Sequence, residues 1–415
     1  MTQVTTLRAL PRRTRAGLMT LAAAAFVAVT TETMPTGLLP QIGAGFHVSQ
    51  SQAGTLIGAY ALVVAIGSVP LAVVTNRLPR KALILFTLAA YAASAILTVA
   101  TSSFGVALGA RIVGGVAHAL FFAVASAYVT RLVPPHLVGR ATAVLQTGGS
   151  LALVFGVPLG TAIGVATGWR SAFLVLAVAS LALMVAALRL LPAVSSPRPV
   201  SWAEALRGLR APGLLAISFV AAIAFAGHFS SYTYIAPLLR RGGVSSDHVS
   251  TVLLVFGLGG MVGVWIAGAS ADRFPRGALI CSFVALPVTT VLFWASAGFA
   301  AGTVATAFVW AMAFVAIPTL ITTSALRAGS GHPDMAAALI NSVCNIGIAI
   351  GSAVGGIALD TGGLGAVPPV SAALFVGVLA MTLVVGRAFS LPAKPMTAEL
   401  PAQPARRAEV SSSAR

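Results

Sequence analysis

Gly67-Ser-Val-Pro-Leu-Ala-Val-Val-Thr-Asn76-Arg77-Leu-Pro79-Arg80-Lys81 recurs 196 residues later as Gly263-Val-Trp-Ile-Ala-Gly-Ala-Ser-Ala-Asp272-Arg273-Phe-Pro275-Arg276. At that offset Gly67 falls on Gly263, Arg77 on Arg273, Pro79 on Pro275 and Arg80 on Arg276. The same offset carries Arg131 onto Arg327, His136 onto His332 and Gly160 onto Gly356. Matched glycines are cheap in a chain that has 42 of them, but matched arginines and prolines in the same polar breaks are not. The chain therefore reads as two halves built on one plan.

Composition decides the medium. Of the residues 58% are hydrophobic and 8% charged, with a mean hydropathy of +0.97. A soluble protein carries about 25% charged residues. A bilayer span needs about 20 apolar residues, and lipid leaves the helix as the way to satisfy the backbone of such a stretch. Twelve stretches qualify: 16–39, 53–75, 82–102, 104–130, 140–166, 171–191, 213–238, 249–271, 278–297, 302–326, 335–359 and 368–389. The expected fold is an all-α integral membrane protein with twelve transmembrane helices in two pseudo-symmetric six-helix bundles. Parallel halves of this kind are one known transporter architecture. The expected organisation is an N-terminal segment 1–15, a bundle 16–191, a linker 192–212, a second bundle 213–389 and a Pro/Ala/Ser-rich disordered tail 390–415. Arg8, Arg12, Arg13 and Arg15 ahead of an apolar run resemble a signal peptide. The run continues through Glu32 to Leu39, too long for a cleaved leader, so an uncleaved first span is expected.

The net charge of +17 does not point to nucleic acid, because the basic residues sit in short breaks between apolar runs. Placing the N-terminus in the cytoplasm puts 21 of the 25 Lys and Arg on the cytoplasmic side and three (Arg170, Arg240, Arg241) opposite, with Arg111 inside the membrane. The positive-inside rule then sets both termini in the cytoplasm. Cys281 and Cys344 lie in apolar stretches, with no disulfide framework and no metal-ligand spacing. No phosphate-binding Gly-x4-Gly-Lys-Ser/Thr loop occurs, and no nucleophile–base constellation suggests an enzyme. No cofactor is expected.

Glu32 is the one carboxylate inside a long apolar stretch; the other seven acids fall in linkers, at span ends or in the tail. A charge at bilayer depth costs at least ~2.5–3.5 kcal/mol, so such a residue is a functional candidate by default. Arg111 is its counterpart. Glu32 lies eight residues from the outer end of span 1 and Arg111 seven residues into span 4, so both sit roughly 11–12 Å below one boundary. They are expected to be partners. His118 is seven residues deeper on the face of Arg111, and His228 falls on Glu32 by the 196-residue offset. Either histidine could join a proton path, donate to substrate, or simply rest neutral on a helix carbonyl. Tyr60, Phe121, Phe225, Tyr232, Trp310 and Asn345 are candidates to line a mostly apolar substrate cavity. Asn345 could equally make an interhelical hydrogen bond.

The two loop copies resemble the loop signature of the major facilitator superfamily, Gly-x-x-x-Asp-Arg-x-Gly-Arg-Lys. Proline replaces the later glycine in both copies, at Pro79 and Pro275, and Asn76 stands where the first copy should carry Asp. The resemblance implies a cytoplasmic charge latch of Asn76, Arg77, Arg80, Asp272, Arg273 and Arg276, weakened or hydrogen-bonded only on the Asn76 side. Span 5 carries Gly148, Gly156, Pro158, Gly160 and Gly164, followed by Gly168-Trp169-Arg170. This is similar to the glycine-rich span-five motif of the superfamily's antiporters and to the Gly-Trp-Arg of drug-efflux members. Span 11, Asn341-Ser-Val-Cys-Asn345-Ile-Gly347, resembles the sugar-efflux and chloramphenicol-resistance branch. Arg111 matches the family's proton-coupling arginine. The resemblance covers about residues 17–390.

What it implies is a monomeric secondary exporter in the inner membrane that exchanges a proton for a drug or small metabolite. Sugar efflux, or a nutrient symporter of the same fold, is the alternative; a non-transporting sensor is a third. The substrate is not legible.

Overall fold

The computed structural model describes residues 6–7, 10–194, 212–270, 275–328 and 333–384. Among them there is no strand. Among the described residues twelve helical spans are long and apolar enough to cross a membrane: Arg12–Phe46, Gln50–Val74, Arg80–Ala100, Phe104–Leu132, Pro135–Thr167, Trp169–Leu190, Gly213–Tyr232, Ser246–Gly268, Arg276–Ala295, Ala300–Thr322, Leu339–Gly362 and Leu364–Val384. They are spans 1 to 12 below. The expected tail 390–415, Asp272 and Arg273, and most of the linker between the halves lie outside the described residues.

Prolines set the two largest departures from the expected span boundaries. Span 1 reaches Phe46 rather than Leu39, but not as one regular helix: Arg12–Thr33 is α-helical, Met34–Leu38 winds tighter, and Leu39–Phe46 resumes the α-helix. Pro35 has no N–H to give the carbonyl four residues back, on Thr31. Span 7 stops at Tyr232, and a separate short helix, Ile235–Arg241, follows. There Pro237 leaves the Thr233 carbonyl without its helical donor in the same way. In span 5 Pro158 releases Val154, and the helix opens into a wide π turn over Ala152–Gly156. Such turns cluster at functional sites.

Small residues decide which helices touch. A Cβ on Gly148 would strike the Ala22 carbonyl, one on Gly156 the Thr30 hydroxyl, and one on Gly160 the Met34 side chain at 2.7 Å. The span 5 stripe is therefore the seat of span 1. Span 11 repeats the device on span 7: added Cβ atoms on Gly347 and Gly351 would lie 2.5 Å from the carbonyls of Ala222 and Ala226. The two halves are thus pinned by equivalent helix pairs.

Arg170 clips the bundle on one end. Its guanidinium donates to the carbonyls of Val99 at 3.2 Å and Thr101 at 3.1 Å, capping span 3, and lies 4.3 Å above the Trp169 ring. Gly168, at φ 96°, makes the left-handed turn that aims it there. The halves close on each other at that same end. Tyr234 Oη, from the second half, donates to Ser352 at 2.9 Å, and its ring presses on Gly54 of the first; Gly37 faces Leu253. One buried apolar cluster crosses this junction through Met34, Leu38, Leu56, Phe225, Tyr234 and Leu253, while a second, with Leu21, Tyr91, Phe121 and Tyr128, lies within the first half.

Candidate functional site

The break after Glu32 builds the first half of the site. Thr30, Thr31 and Thr33 spend their hydroxyls on the carbonyls of Phe26, Val27 and Val29, each at 2.7 Å. Glu32 alone in this turn keeps an uncommitted polar group. The carbonyls freed by the tighter winding are taken by Arg111: Nη1 donates to Thr31 O at 2.6 Å and Nη2 to Glu32 O at 2.9 Å. Its Nε donates to Leu56 O of span 2 at 3.1 Å. A guanidinium is a rigid fork of donors, suited to several carbonyls at once, and a cation at a helix C-terminus is favourably placed. The common depth expected from sequence does bring Arg111 and Glu32 together. They meet through the main chain, and no ion pair forms between guanidinium and carboxylate.

The carboxylate turns instead to His118, whose Nε2 lies 3.7 Å from Oε2. Tyr60 closes the group, with its Oη 3.1 Å from His118 Nδ1 and its ring face 4.2 Å from the Arg111 guanidinium. Glu32, Arg111, His118 and Tyr60 are all buried. Glu32 Oε1 has no hydrogen-bond partner.

The second half answers with aromatics. His228 stacks on Phe314 at 3.5 Å between centroids and 4° between planes, and lies 4.9 Å from Tyr232 and 5.2 Å from Trp310. Its Nδ1 and the Trp310 Nε1 are buried without partners. No acid lies against the His228 ring among its described contacts.

The two halves share one cavity of about 500 Å³. Glu32 and Thr33 border it from the first half; Phe225, His228, Phe229, Tyr232, Phe256 and Phe314 border it from the second. The cavity runs away from the Tyr234 closure, between the π turn of span 5 and span 8, to a rim of Thr147, Leu151, Met261 and Trp265. Leu151, Met261 and Trp265 are exposed. The offset of 196 thus places Glu32 and His228 on facing halves of one chamber.

Four expected lining residues fall outside it. Tyr60 lies behind Glu32, against His118 and Arg111. Phe121 packs on Tyr91 and Phe122 inside the first half. Trp310 stands behind His228. Asn345 donates from Nδ2 to Asn341 O at 3.0 Å, leaving its Oδ1 buried and unpartnered, and Ile348 takes the lining position instead. Asn341 bridges the halves, its Nδ2 lying 3.3 Å from Ser68 Oγ. Phe229 and Phe256 were not anticipated. Phe225, His228, Phe229 and Tyr232 sit at i, i+3, i+4 and i+7, one helical face, and that spacing was the available signal.

Of the latch residues, Asn76 is buried and its carbonyl accepts from Arg80 Nη2 at 3.4 Å; Arg77 and Arg276 are exposed.

The sequence matches the pattern of the Major Facilitator Superfamily over residues 21–352. The chain belongs to the major facilitator superfamily. As a superfamily member it is a membrane transporter of small molecules and not an enzyme. It is 34% identical over 366 residues to proteins named chloramphenicol efflux pump in two strains of Mycobacterium tuberculosis, CDC 1551 and H37Rv; the match spans 86% of this chain and 89% of each relative. The superfamily fold is also seen in solved structures. A bacterial homologue of the human lysosomal transporter Spinster, in an inward-facing and unoccupied conformation, aligns with a TM-score of 0.70 at 17% identity, over 92% of this chain and 97% of that one. The human organic anion transporter MFSD10 aligns at 0.63 and 17%, over 90% and 100%.

Proposed function

We propose that this superfamily member is a proton-coupled exporter of small, largely apolar drugs or metabolites, working by alternating access. The observation that carries the reading is Glu32, the one acid bordering a mostly apolar cavity, whose buried Oε1 has no hydrogen-bond partner. An ionised Glu32 accepts a hydrogen bond from a substrate hydroxyl or amide. A proton taken up there removes the charge and competes with that bond. Arg111 stays fixed on the main chain in either case and keeps the break in span 1 in place. His118 shares the proton site, and His228 meets the substrate through its free Nδ1. A cavity of about 500 Å³ lies within the roughly 300–1,000 Å³ of small-molecule sites.

The protein lies in the cytoplasmic membrane with both termini inside, on the strength of the 21-to-3 distribution of basic residues, and works as a monomer. The Tyr234 closure is then the outer end, and the rim at Trp265 loads from the inner side. Residues 16–191 and 213–389 are the moving halves, joined by 192–212. The span 5 residues Gly148, Gly156, Pro158, Gly160 and Gly164 keep span 1 seated while the halves rock. Asn76, Arg77, Arg80, Asp272, Arg273 and Arg276 latch the cytoplasmic end when it closes. The relatives named for chloramphenicol make that drug the first probe.

In proteoliposomes with an imposed pH gradient, the wild type expels chloramphenicol towards the acidic side. Glu32→Gln inserts normally and loses this pH-driven movement. Unimpaired pH-driven efflux in that variant sinks the reading, and accumulation from the acidic side makes the protein a symporter.

A further inference from the structure

Tyr60, His118 and Glu32 come from spans 2, 4 and 1 and form a buried line: Tyr60 Oη is 3.1 Å from His118 Nδ1, and His118 Nε2 is 3.7 Å from Glu32 Oε2. The Tyr60 ring is itself fixed. Its edge meets the imidazole, with centroids 5.6 Å apart at 80°, and its face carries Arg111 at 4.2 Å. Tyr60 is fully buried and does not border the shared cavity, so contact with a substrate held there does not account for its hydroxyl.

A neutral imidazole carries one N–H, and the bond made at one nitrogen decides which nitrogen keeps it. Were the proton on Nδ1, the Nε2 lone pair would face the carboxylate oxygen. With the proton on Nε2, Tyr60 donates to Nδ1 and Nε2–H points at Glu32, so both contacts are attractive. We propose that Tyr60 is a positioning residue that locks the His118 tautomer, holding Nε2–H towards Glu32 and favouring the ionised carboxylate. This rests on the reading of Glu32 as the proton site.

The other titratable groups around this line are Arg111 from span 4, Tyr91 from span 3, and His228 and Tyr232 from span 7 across the cavity. Tyr60→Phe leaves all of these residues in place, and besides the donor to His118 it removes the hydroxyl that Tyr91 hydrogen-bonds. It keeps the ring under Arg111 and beside His118. The imidazole, which also hydrogen-bonds the Ala28 main chain of span 1, then loses the bond that fixes Nδ1 as acceptor and can turn a lone pair to the protonated Glu32, so the carboxyl holds its proton to higher pH.

The test needs no substrate. Infrared difference spectroscopy of the full chain in lipid follows the Glu32 carboxyl band, assigned by its loss in Glu32→Gln. The expected result is a titration midpoint in Tyr60→Phe raised by roughly 0.4–1 pH unit, the size of one hydrogen bond. In a His118→Asn background the same substitution produces no further shift. An unmoved midpoint, or an equal shift without His118, overturns the proposal. Nitrogen NMR of labelled histidine in the wild type gives a second reading, with a bare Nδ1 expected and an Nδ1–H overturning it. The efflux reading fails separately, through Glu32→Gln retaining pH-driven efflux while the tautomer lock stands.

Discussion

Arg111 holds Glu32 by its carbonyl oxygen, at 2.9 Å, while the Glu32 carboxylate points to His118. The cation is therefore committed to the shape of span 1 and the acid is left free. Removing one partner of a buried ion pair costs about 3–5 kcal/mol, because the other charge is stranded. Here nothing is stranded when the acid is neutralised. Glu32→Gln should unfold, in a thermal melt of the purified protein, within about 1 kcal/mol of the wild type. A loss of several kcal/mol would mean that the two side chains pair.

Arg111→Lys should behave quite differently. An ammonium is a point charge and cannot span the carbonyls of Thr31, Glu32 and Leu56 together. At least one of these three acceptors loses its donor, at about 1–3 kcal/mol for each buried group left unsatisfied. The expected outcome is poor accumulation and a drug-sensitive host, despite the retained charge.

The glycine stripe of span 5 makes a graded prediction. At Gly148 a Cβ meets the main chain of Ala22, which cannot move alone; at Gly160 it meets the end of the Met34 side chain, which can. Gly148→Ala should lower accumulated protein sharply, whereas Gly160→Ala should cost about 1–3 kcal/mol and still fold. Quantitative blotting with a melt distinguishes the two.

His228→Phe keeps the stack on Phe314 and deletes the free Nδ1. Drug binding, followed by tryptophan fluorescence, should weaken about tenfold, the loss of one hydrogen bond. Exchange driven by a pH gradient should persist at saturating drug. Complete loss of that exchange would move His228 from substrate contact to the proton path.

Pro158→Ala restores the donor that Val154 lacks and removes the reason for the π turn. The variant should melt no lower than the wild type and transport more slowly, because span 5 loses its bend beside the cavity. Efflux rates at matched expression check it.

Much of the fold was legible because a bilayer is an unforgiving solvent. Apolar run length placed twelve spans, and the repeat of Arg77 and Pro79 at Arg273 and Pro275 divided them six and six. The pairing of Glu32 with Arg111 was legible in depth only. Rise per residue locates a side chain along the membrane normal and says nothing of whether it meets main chain or side chain. Pro35 was the missed clue, since the carbonyl it frees is the one Arg111 takes. The part of Phe256 in the aromatic wall around His228 was hidden for another reason. Phe256 comes from span 8, and no period within one helix brings it to span 7.

The cavity rim carries three exposed apolar residues, Leu151, Met261 and Trp265, beside Thr147 and Ser150, and no charged residue stands between it and the Glu32 chamber among the lining residues. An alkyl chain fits such an entrance as well as a drug does. Solubilising detergent is thus a competing ligand for this protein, and affinities measured in micelles should depend on the detergent's chain length, whereas those measured in nanodiscs should not.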